Sequence, residues 1–96
     1  MIKYEMMTIL DSSLNSEKVS DFIDKVSTVI KSDKGTVDHV DNWGKRTLAY
    51  EIKKHNDGNY VLFEYTAQPK TSKEIDRQLH LDDQVLRFKI FNKENV

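Results

Sequence analysis

The residues best suited to chemistry in this sequence are three histidines, an aspartate pair and a serine pair. His39, His55 and His80 lack the spacing of four residues around a glutamate by which one helix face presents two zinc ligands. Cysteine is absent, so disulfides, thiolate nucleophiles and the usual structural zinc sites are excluded. A polar turn explains Asp82-Asp83 better than a metal site does, and Ser12-Ser13 has no evident basic partner. We therefore expect no catalytic residue, no metal and no cofactor.

The basic residues indicate a different chemistry, the binding of phosphate. Residues 45–54 hold four bases and one acid, and residues 84–93 hold three bases and no acid, whereas residues 11–41 hold seven acids and four bases. The formal net charge of −1 argues mildly against nucleic acid, but the distribution of charge matters more than the total. We expect any anion-binding surface to be built from the middle and last strands of the chain.

Length and composition set the class of protein. A chain of 96 residues with 38% hydrophobic and 32% charged residues predicts one small globular domain with a single modest core. No apolar run approaches the roughly 18 residues that span a membrane, and the first residues lack the apolar core of a signal peptide. A cytoplasmic location is therefore the default expectation.

Hydrophobic periodicity predicts the elements that position the basic residues. Apolar residues at i, i+3, i+4 and i+7 predict a helix that starts after Asn15 and ends near Ser32. A shorter helix follows the capping-box pattern at 71–74 and is anchored by Ile75 and Leu79. Alternating apolar and polar residues predict strands at 3–10, 36–41, 45–52, 59–67 and 85–91.

The segment from Asn42 to Gly44 allows two interpretations. It is either the turn of a hairpin or a bulge in one long bent strand, and a bulge would explain why Val37 and Leu48 differ in parity. Residues 53–58 predict a turn, in which Asp57-Gly58 is a strong hairpin signal.

The order β-α-β-β-α-β is that of the ferredoxin-like α+β fold, a four-stranded antiparallel sheet with two helices on one face. We expect one such domain over residues 1–96, with a flexible tail at 92–96. The helices should cover Tyr4, Met6, Leu10, Val61, Phe63, Tyr65, Leu86, Phe88 and Ile90. The open face should carry Lys3, Glu5, Met7, Ile9, Tyr60, Leu62, Glu64, Arg87, Lys89 and Phe91.

This open face has the mixed composition of a docking surface. It is too apolar for a purely solvated surface and too charged for a core. Gly58 stands where the common RNA-binding version of the fold has its first stacking aromatic residue, so base stacking on the face is disfavoured. Contacts to phosphate, to folded RNA shape and to a partner protein fit it better.

Several motifs resemble the bacterial small-subunit ribosomal protein S6 family. The most specific lies in the middle of the chain, and three weaker motifs flank it in the family's order and spacing. The motifs are Gly44-Lys45-Arg46 with Leu48-Ala49-Tyr50 and Ile52, then Tyr4-Glu5, Tyr60-Val61 and Asp83-x-Val85-Leu86-Arg87. The resemblance implies the ferredoxin-like fold and a structural, non-enzymatic role in the small ribosomal subunit. It also implies binding to the central domain of small-subunit ribosomal RNA as a heterodimer with ribosomal protein S18.

The resemblance also directs the choice of site residues. Lys45 and Arg46 match the basic residues after the family's motif glycine, and Arg87 matches the arginine that opens the last strand. We expect phosphate contacts from Lys3, Lys45, Arg46, Lys53, Lys54, Arg87 and Lys89. We expect partner contacts from Trp43, Lys45 and Arg46, because a bent strand at a sheet edge offers unpaired backbone groups to a second chain. Neither a membrane nor a small-molecule substrate is expected.

Two other functions remain open at this point. One is a ferredoxin-like regulatory or ligand-binding domain that self-associates through its sheet. The other is a small acyl-phosphate-hydrolysing enzyme, which would need an arginine and an asparagine that converge on a phosphate, and no loop of the sequence suggests such a cradle.

Overall fold

A computed structural model describes residues 1–95. The elements are β1 (Ile2–Asp11), α1 (Ser16–Ser32), β2 (Thr36–Ile52), β3 (His55–Ala67), α2 (Pro69–His80) and β4 (Val85–Asn92), followed by a 3-10 turn at Lys93–Asn95. The four strands form one antiparallel sheet in the order β2-β3-β1-β4. The predicted ferredoxin-like α+β fold is confirmed.

The main core lies between the helices and one face of the sheet. Helix α1 turns its predicted apolar stripe toward the sheet, so that Phe22 and Val26 are buried there. The ring of Phe22 meets the edge of Phe63 with centroids 6.1 Å apart, and Tyr4 stacks on Tyr65 at 5.3 Å. The other members of this core are Met6, Leu10, Val19, Ile30, Val61, Ala67, Ile75, Leu79 and Val85.

The two helices begin in different ways. As predicted, Asn15 caps α1, since its side-chain oxygen accepts a hydrogen bond of 2.9 Å from the backbone N–H of Lys18. The capping box predicted for α2 is wrong, because α2 already begins at Pro69. The Thr71 hydroxyl instead donates to Asp33 at 3.0 Å, and the Ser72 hydroxyl pairs with Tyr65 at 2.8 Å. These buried hydroxyls tie α2 to the end of α1 and to the sheet.

Strand β2 runs without interruption through the segment that allowed two interpretations. Gly44 pairs with Tyr60 and Asn42 with Val61, so Trp43 is the extra residue of a bulge. Gly44 has a φ of +77°, which fits the bulge and is the conformation that glycine adopts most readily. The long bent strand is therefore the correct interpretation, and the hairpin turn at 42–44 is wrong.

The turn between β2 and β3 lies earlier than predicted. It consists of Lys53 and Lys54 alone, both left-handed with φ of 48° and 68°, as a two-residue hairpin turn requires. Asp57-Gly58 is instead paired strand. A Cβ on Gly58 would lie 2.5 Å from Cγ2 of Ile9 and 3.1 Å from the carbonyl oxygen of Leu10. The glycine is needed for close packing within the sheet and makes no turn.

A second bulge changes the faces of β4. Ile9 pairs with Arg87 but Leu10 pairs with Val85, so Leu86 is the extra residue. Val85 therefore joins the core under the helices, and Leu86 lies on the opposite face. The predicted position of Leu86 beneath the helices is wrong, whereas Phe88 and Ile90 do pack against that core.

The end of the chain continues from the sheet. Asn92 pairs with Tyr4 in β4, and the Glu94 carboxylate accepts a hydrogen bond of 2.9 Å from the backbone N–H of Lys3. The mobility expected for 92–96 stays a prediction, and Val96 lies outside the described residues.

Candidate protein and nucleic-acid interface

A second apolar cluster lies on the face of the sheet away from the helices. Ile9, Leu48 and Leu86 are buried in it, and Ile52 and Tyr60 pack against it. Leu48 belongs to β2, yet it meets residues of β1 and β4. The end of the β2–β3 hairpin therefore bends over the open face.

The bend follows from an irregular stretch of pairing. Thr47 pairs with Asp57 and Ile52 with His55, so the four residues 48–51 of β2 stand opposite Asn56 alone. The surplus residues let the strand curve away from the plane of the sheet. Gly58 of β3 lets the Ile9 side chain of this cluster pack closely on the sheet, because a Cβ at position 58 would collide with Ile9.

The bent hairpin, β1 and β4 border an open cavity of about 320 Å³, which we call the apolar groove. Tyr50 and Phe91, exposed by 59% and 42%, stand on it. The Tyr50 hydroxyl accepts a hydrogen bond from the Arg87 guanidinium, and the Lys89 ammonium lies 5.2 Å from the centre of the Phe91 ring. The remaining lining residues are Met7, Ile9, Leu48, Ala49, Ile52, Tyr60 and Phe88.

The predicted partner-binding residues form a neighbouring group, which we call the edge cluster: Trp43, Lys45 and Arg46. The Trp43 ring stacks on Tyr60 with centroids 6.2 Å apart, and its Nε1 donates to Asp41 at 2.8 Å. The Arg46 guanidinium carbon lies 6.0 Å from the centre of the Trp43 ring. Trp43 remains 42% exposed, and β2 is an outer strand of the sheet as the sequence analysis assumed.

The seven bases predicted to bind RNA are all exposed, but the structure does not bring all of them together. Arg87 and Lys89 line the apolar groove, and Lys53 and Lys54 form the turn of the bent hairpin. Lys45 and Arg46 lie in the edge cluster at the same end of the sheet. Lys3 is the exception, since it pairs with Thr66, six residues along β1 from the partner of Arg87 and therefore about 20 Å away.

Asp11 is an acidic residue near the base of the hairpin. The backbone N–H and the hydroxyl of Ser13 donate to Asp11, and these hydrogen bonds hold the pKa of the Asp11 carboxyl below its usual value. His55 Nε2 lies 3.9 Å from the other carboxylate oxygen. Asp11 is thus held at the base of the hairpin and does not itself line the groove.

Sequence reasoning missed two residues of this region, Tyr50 and His80. The alternation of Leu48, Tyr50 and Ile52 indicates that they share a face, but it carries no information that the strand bends over β1. His80 ends α2, where it reaches the side of β4 and meets Phe88 with ring centroids 5.0 Å apart. That contact depends on the packing of two distant segments.

In the described part of the chain, residues 1–95, no three His, Asp or Glu side chains are grouped so that they could hold a metal ion. None of its helices has the length and apolar character needed to cross a membrane.

The fold and this face define a class of protein, a small ferredoxin-like domain with an open sheet face and an exposed sheet edge. The sequence model of the family described as Ribosomal protein S6 matches residues 3–92. The chain therefore belongs to the ribosomal protein S6 family, and the resemblance noted in the sequence is confirmed.

Individual relatives agree over nearly the whole chain. The small ribosomal subunit protein bS6 of a Nocardioides species is 46% identical over 94 residues, which cover 98% of each chain. That of Rhodococcus opacus is 48% identical over 90 residues, 94% of this chain and 95% of the relative. The crystal structure of 30S ribosomal protein S6 from Thermotoga maritima superposes with a TM-score of 0.90 at 26% identity and covers 98% of this chain and 89% of that one.

Proposed function

We propose that this protein is a structural, non-enzymatic constituent of the small ribosomal subunit, which binds the central domain of small-subunit ribosomal RNA together with ribosomal protein S18. Its membership of the S6 family supports the ribosomal role, since its relatives carry the name of a small-subunit protein. On this proposal the protein acts in the cytoplasm, on the ribosome, and it acts by docking.

One observation carries the proposal of a protein partner, namely that the apolar groove and the edge cluster are continuous. Tyr60 lines the groove and also supports the stacked ring of Trp43. A single partner can therefore bury Phe91 and Tyr50 in the groove while it contacts Trp43 at the outer edge of β2. Exposed aromatic side chains of this kind commonly supply most of the affinity of an interface.

The charge of the chain supports a basic partner. With a formal net charge of −1, the protein has little general attraction for RNA, although its bases are concentrated at one end of the sheet. A basic protein bound beside those bases would add to the positive surface presented to phosphate. RNA binding is therefore expected to depend on the pair.

Isothermal titration of the chain with ribosomal protein S18, followed by a central-domain RNA fragment, tests the proposal. We expect saturable one-to-one binding and then a ternary complex that is tighter than either binary complex. Phe91→Ala should weaken binding to S18 by about 1–2 kcal/mol, roughly 5- to 30-fold. Leu81→Ala is the matched control, because Leu81 is 72% exposed but lies outside the groove, and it should change nothing.

The opposite result would favour the alternative function. If the folded chain gives no heat with S18 and retains no RNA, a domain that self-associates through its sheet becomes the better hypothesis. The molecular mass of the chain, measured at high concentration, then tests that hypothesis. A chain that stays monomeric would contradict self-association as well.

A further inference from the structure

A second concavity lies on the other side of β4 from the apolar groove. It has a volume of about 200 Å³ and lies between the β2–β3 turn, the end of α2 and β4, and we call it the basic cleft. Its polar lining consists of Lys53, His80 and Arg87, one from each of the three elements, and its remaining lining residues are Leu79, Val85, Leu86 and Phe88. Three cationic or protonatable side chains that converge from separate elements are the basis of the inference.

Contacts within the fold fix the positions of Lys53 and His80. Lys53 is placed by the left-handed turn, and the turn is anchored by the cluster of Ile9, Leu48 and Leu86. The His80 ring stands edge-on to Phe88, and its Nδ1 lies 2.9 Å from the Asp76 carboxylate. Within residues 1–95 no hydrogen bond is made by Nε2 of His80, so this nitrogen remains available to a ligand.

The cleft has an excess of positive charge. In the described part of the chain no carboxylate lies within 4.0 Å of Lys53 or Arg87, and none lines the cleft. Two acids, one on α2 and one in the following loop, have partners of their own. Asp76 faces His80, and Asp82 accepts from Lys25 at 3.3 Å and from the backbone N–H of Gln84 at 2.9 Å.

We propose that the basic cleft binds a backbone phosphate of the RNA, with Lys53 and Arg87 as charged donors and Nε2 of His80, in the imidazolium form, as a third donor. This inference rests on the proposed function. A phosphate oxygen can accept from all three side chains, and charge-assisted hydrogen bonds of this kind are the strong ones. The polar lining of the cleft consists of cationic or protonatable side chains without a carboxylate, so the phosphate of RNA is the occupant that matches it.

Arg87 and Phe88 line both the groove and the cleft, which places the two sites back to back. A partner protein seated in the groove would exclude water from one side of Arg87. Since electrostatic attraction is stronger in a poorly hydrated environment, the phosphate contact of Arg87 should then become stronger. The cleft thus gives a physical route by which the partner protein raises the affinity for RNA.

Lys53→Gln and His80→Gln test the inference in the complete ternary assembly with the central-domain RNA fragment. Lys70→Gln is the control, because it removes the same charge from an exposed position at the far end of α2. We expect Lys53→Gln to reduce RNA affinity about 3- to 10-fold and to lower the slope of log K against log salt concentration by about one. His80→Gln should give a smaller reduction, and Lys70→Gln should give none.

The outcomes separate this inference from the proposed function. If the wild-type complex binds RNA and both cleft variants match it in affinity and salt slope, the cleft holds no phosphate and the inference is wrong. If the cleft variants weaken binding of the partner protein in the absence of RNA, the cleft is a protein contact and the inference is again wrong. If the wild-type complex binds no RNA, the proposed function itself fails.

Discussion

Tyr65 connects the main core to the chemistry of a single proton. It is fully buried, it stacks on Tyr4, and its hydroxyl pairs with that of Ser72. Burial raises the pKa of Tyr65 to about 12. The pKa in the unfolded chain is about 10, so the contribution of the protonated Tyr65 hydroxyl to the free energy of unfolding is fully present below pH 10. The contribution is lost as the pH rises from about 10 through 12.

Tyr65→Phe should therefore separate two effects. At neutral pH the variant should lose about 1 kcal/mol of unfolding free energy, because the hydrogen bond to Ser72 is gone. Between pH 10 and 12 its stability should decline less steeply than that of the wild type. Urea unfolding from pH 7 to 12 measures both.

Tyr50→Phe provides the control for this experiment. Tyr50 is exposed, so its replacement should leave the alkaline decline intact. Equal pH slopes for the wild type and Tyr65→Phe would show that Tyr65 takes no part in alkaline unfolding.

In the β2–β3 turn, the proposed binding of phosphate by two lysines would compete with the stability of the turn. Lys53 and Lys54 both adopt positive φ, a conformation that costs a residue with a Cβ about 1 kcal/mol. The double substitution Lys53→Asn and Lys54→Gly supplies the favoured residues for such a turn. We expect it to raise the free energy of unfolding by about 1 kcal/mol and to weaken RNA binding, as measured by urea unfolding and by titration of the ternary complex.

Lys34→Gly distinguishes relief of strain from loss of charge. Lys34 also has a positive φ, of 65°, but it follows α1 and lies outside the groove and the cleft. This variant should gain stability and keep its affinity for RNA. A double turn variant that is no more stable than the wild type would mean that the two lysines are not strained.

The same elements show what a sequence can and cannot predict. Helix α1 is predictable because its stripe and its cap are local patterns, and both agree with its packing. The turn is not, because the strong Asp57-Gly58 signal is overridden by a distant requirement, the close approach of Ile9 to Gly58. Leu86 changes face for a similar reason, since its bulge exists only in the pairing with β1.

The candidate interface follows the same rule. The sequence identifies the bases and the exposed Trp43, because residue type and charge pattern are local properties. It cannot predict that β2 bends over the sheet, so the groove, the Tyr50–Arg87 hydrogen bond and the position of His80 in the cleft emerge only from the fold. Lys3 shows the limit of the charge pattern. It is a base on the open face, but it lies at the end of the sheet opposite the other six predicted bases.

At the scale of the whole molecule, the charge distribution predicts weak RNA binding by the isolated chain. With a net charge of −1 and six of its seven predicted bases at one end, the chain should bind a labelled central-domain RNA no better than about 10⁻⁶ M at physiological salt. Addition of ribosomal protein S18 should tighten binding at least tenfold, roughly 1.4 kcal/mol. Tight, sequence-specific binding by the chain alone would contradict this prediction.

The strand order has a consequence for the folding of the protein during its synthesis. β1 precedes the other three strands along the chain, yet it lies in the interior of the sheet and pairs with β3 and β4. Until residues 85–92 have emerged, one side of β1 is an unpaired edge beside Met6 and Leu10, and such edges recruit other chains. The sheet therefore cannot be completed until β4 has been synthesised, and a chain that still lacks β4 exposes an edge through which it can aggregate.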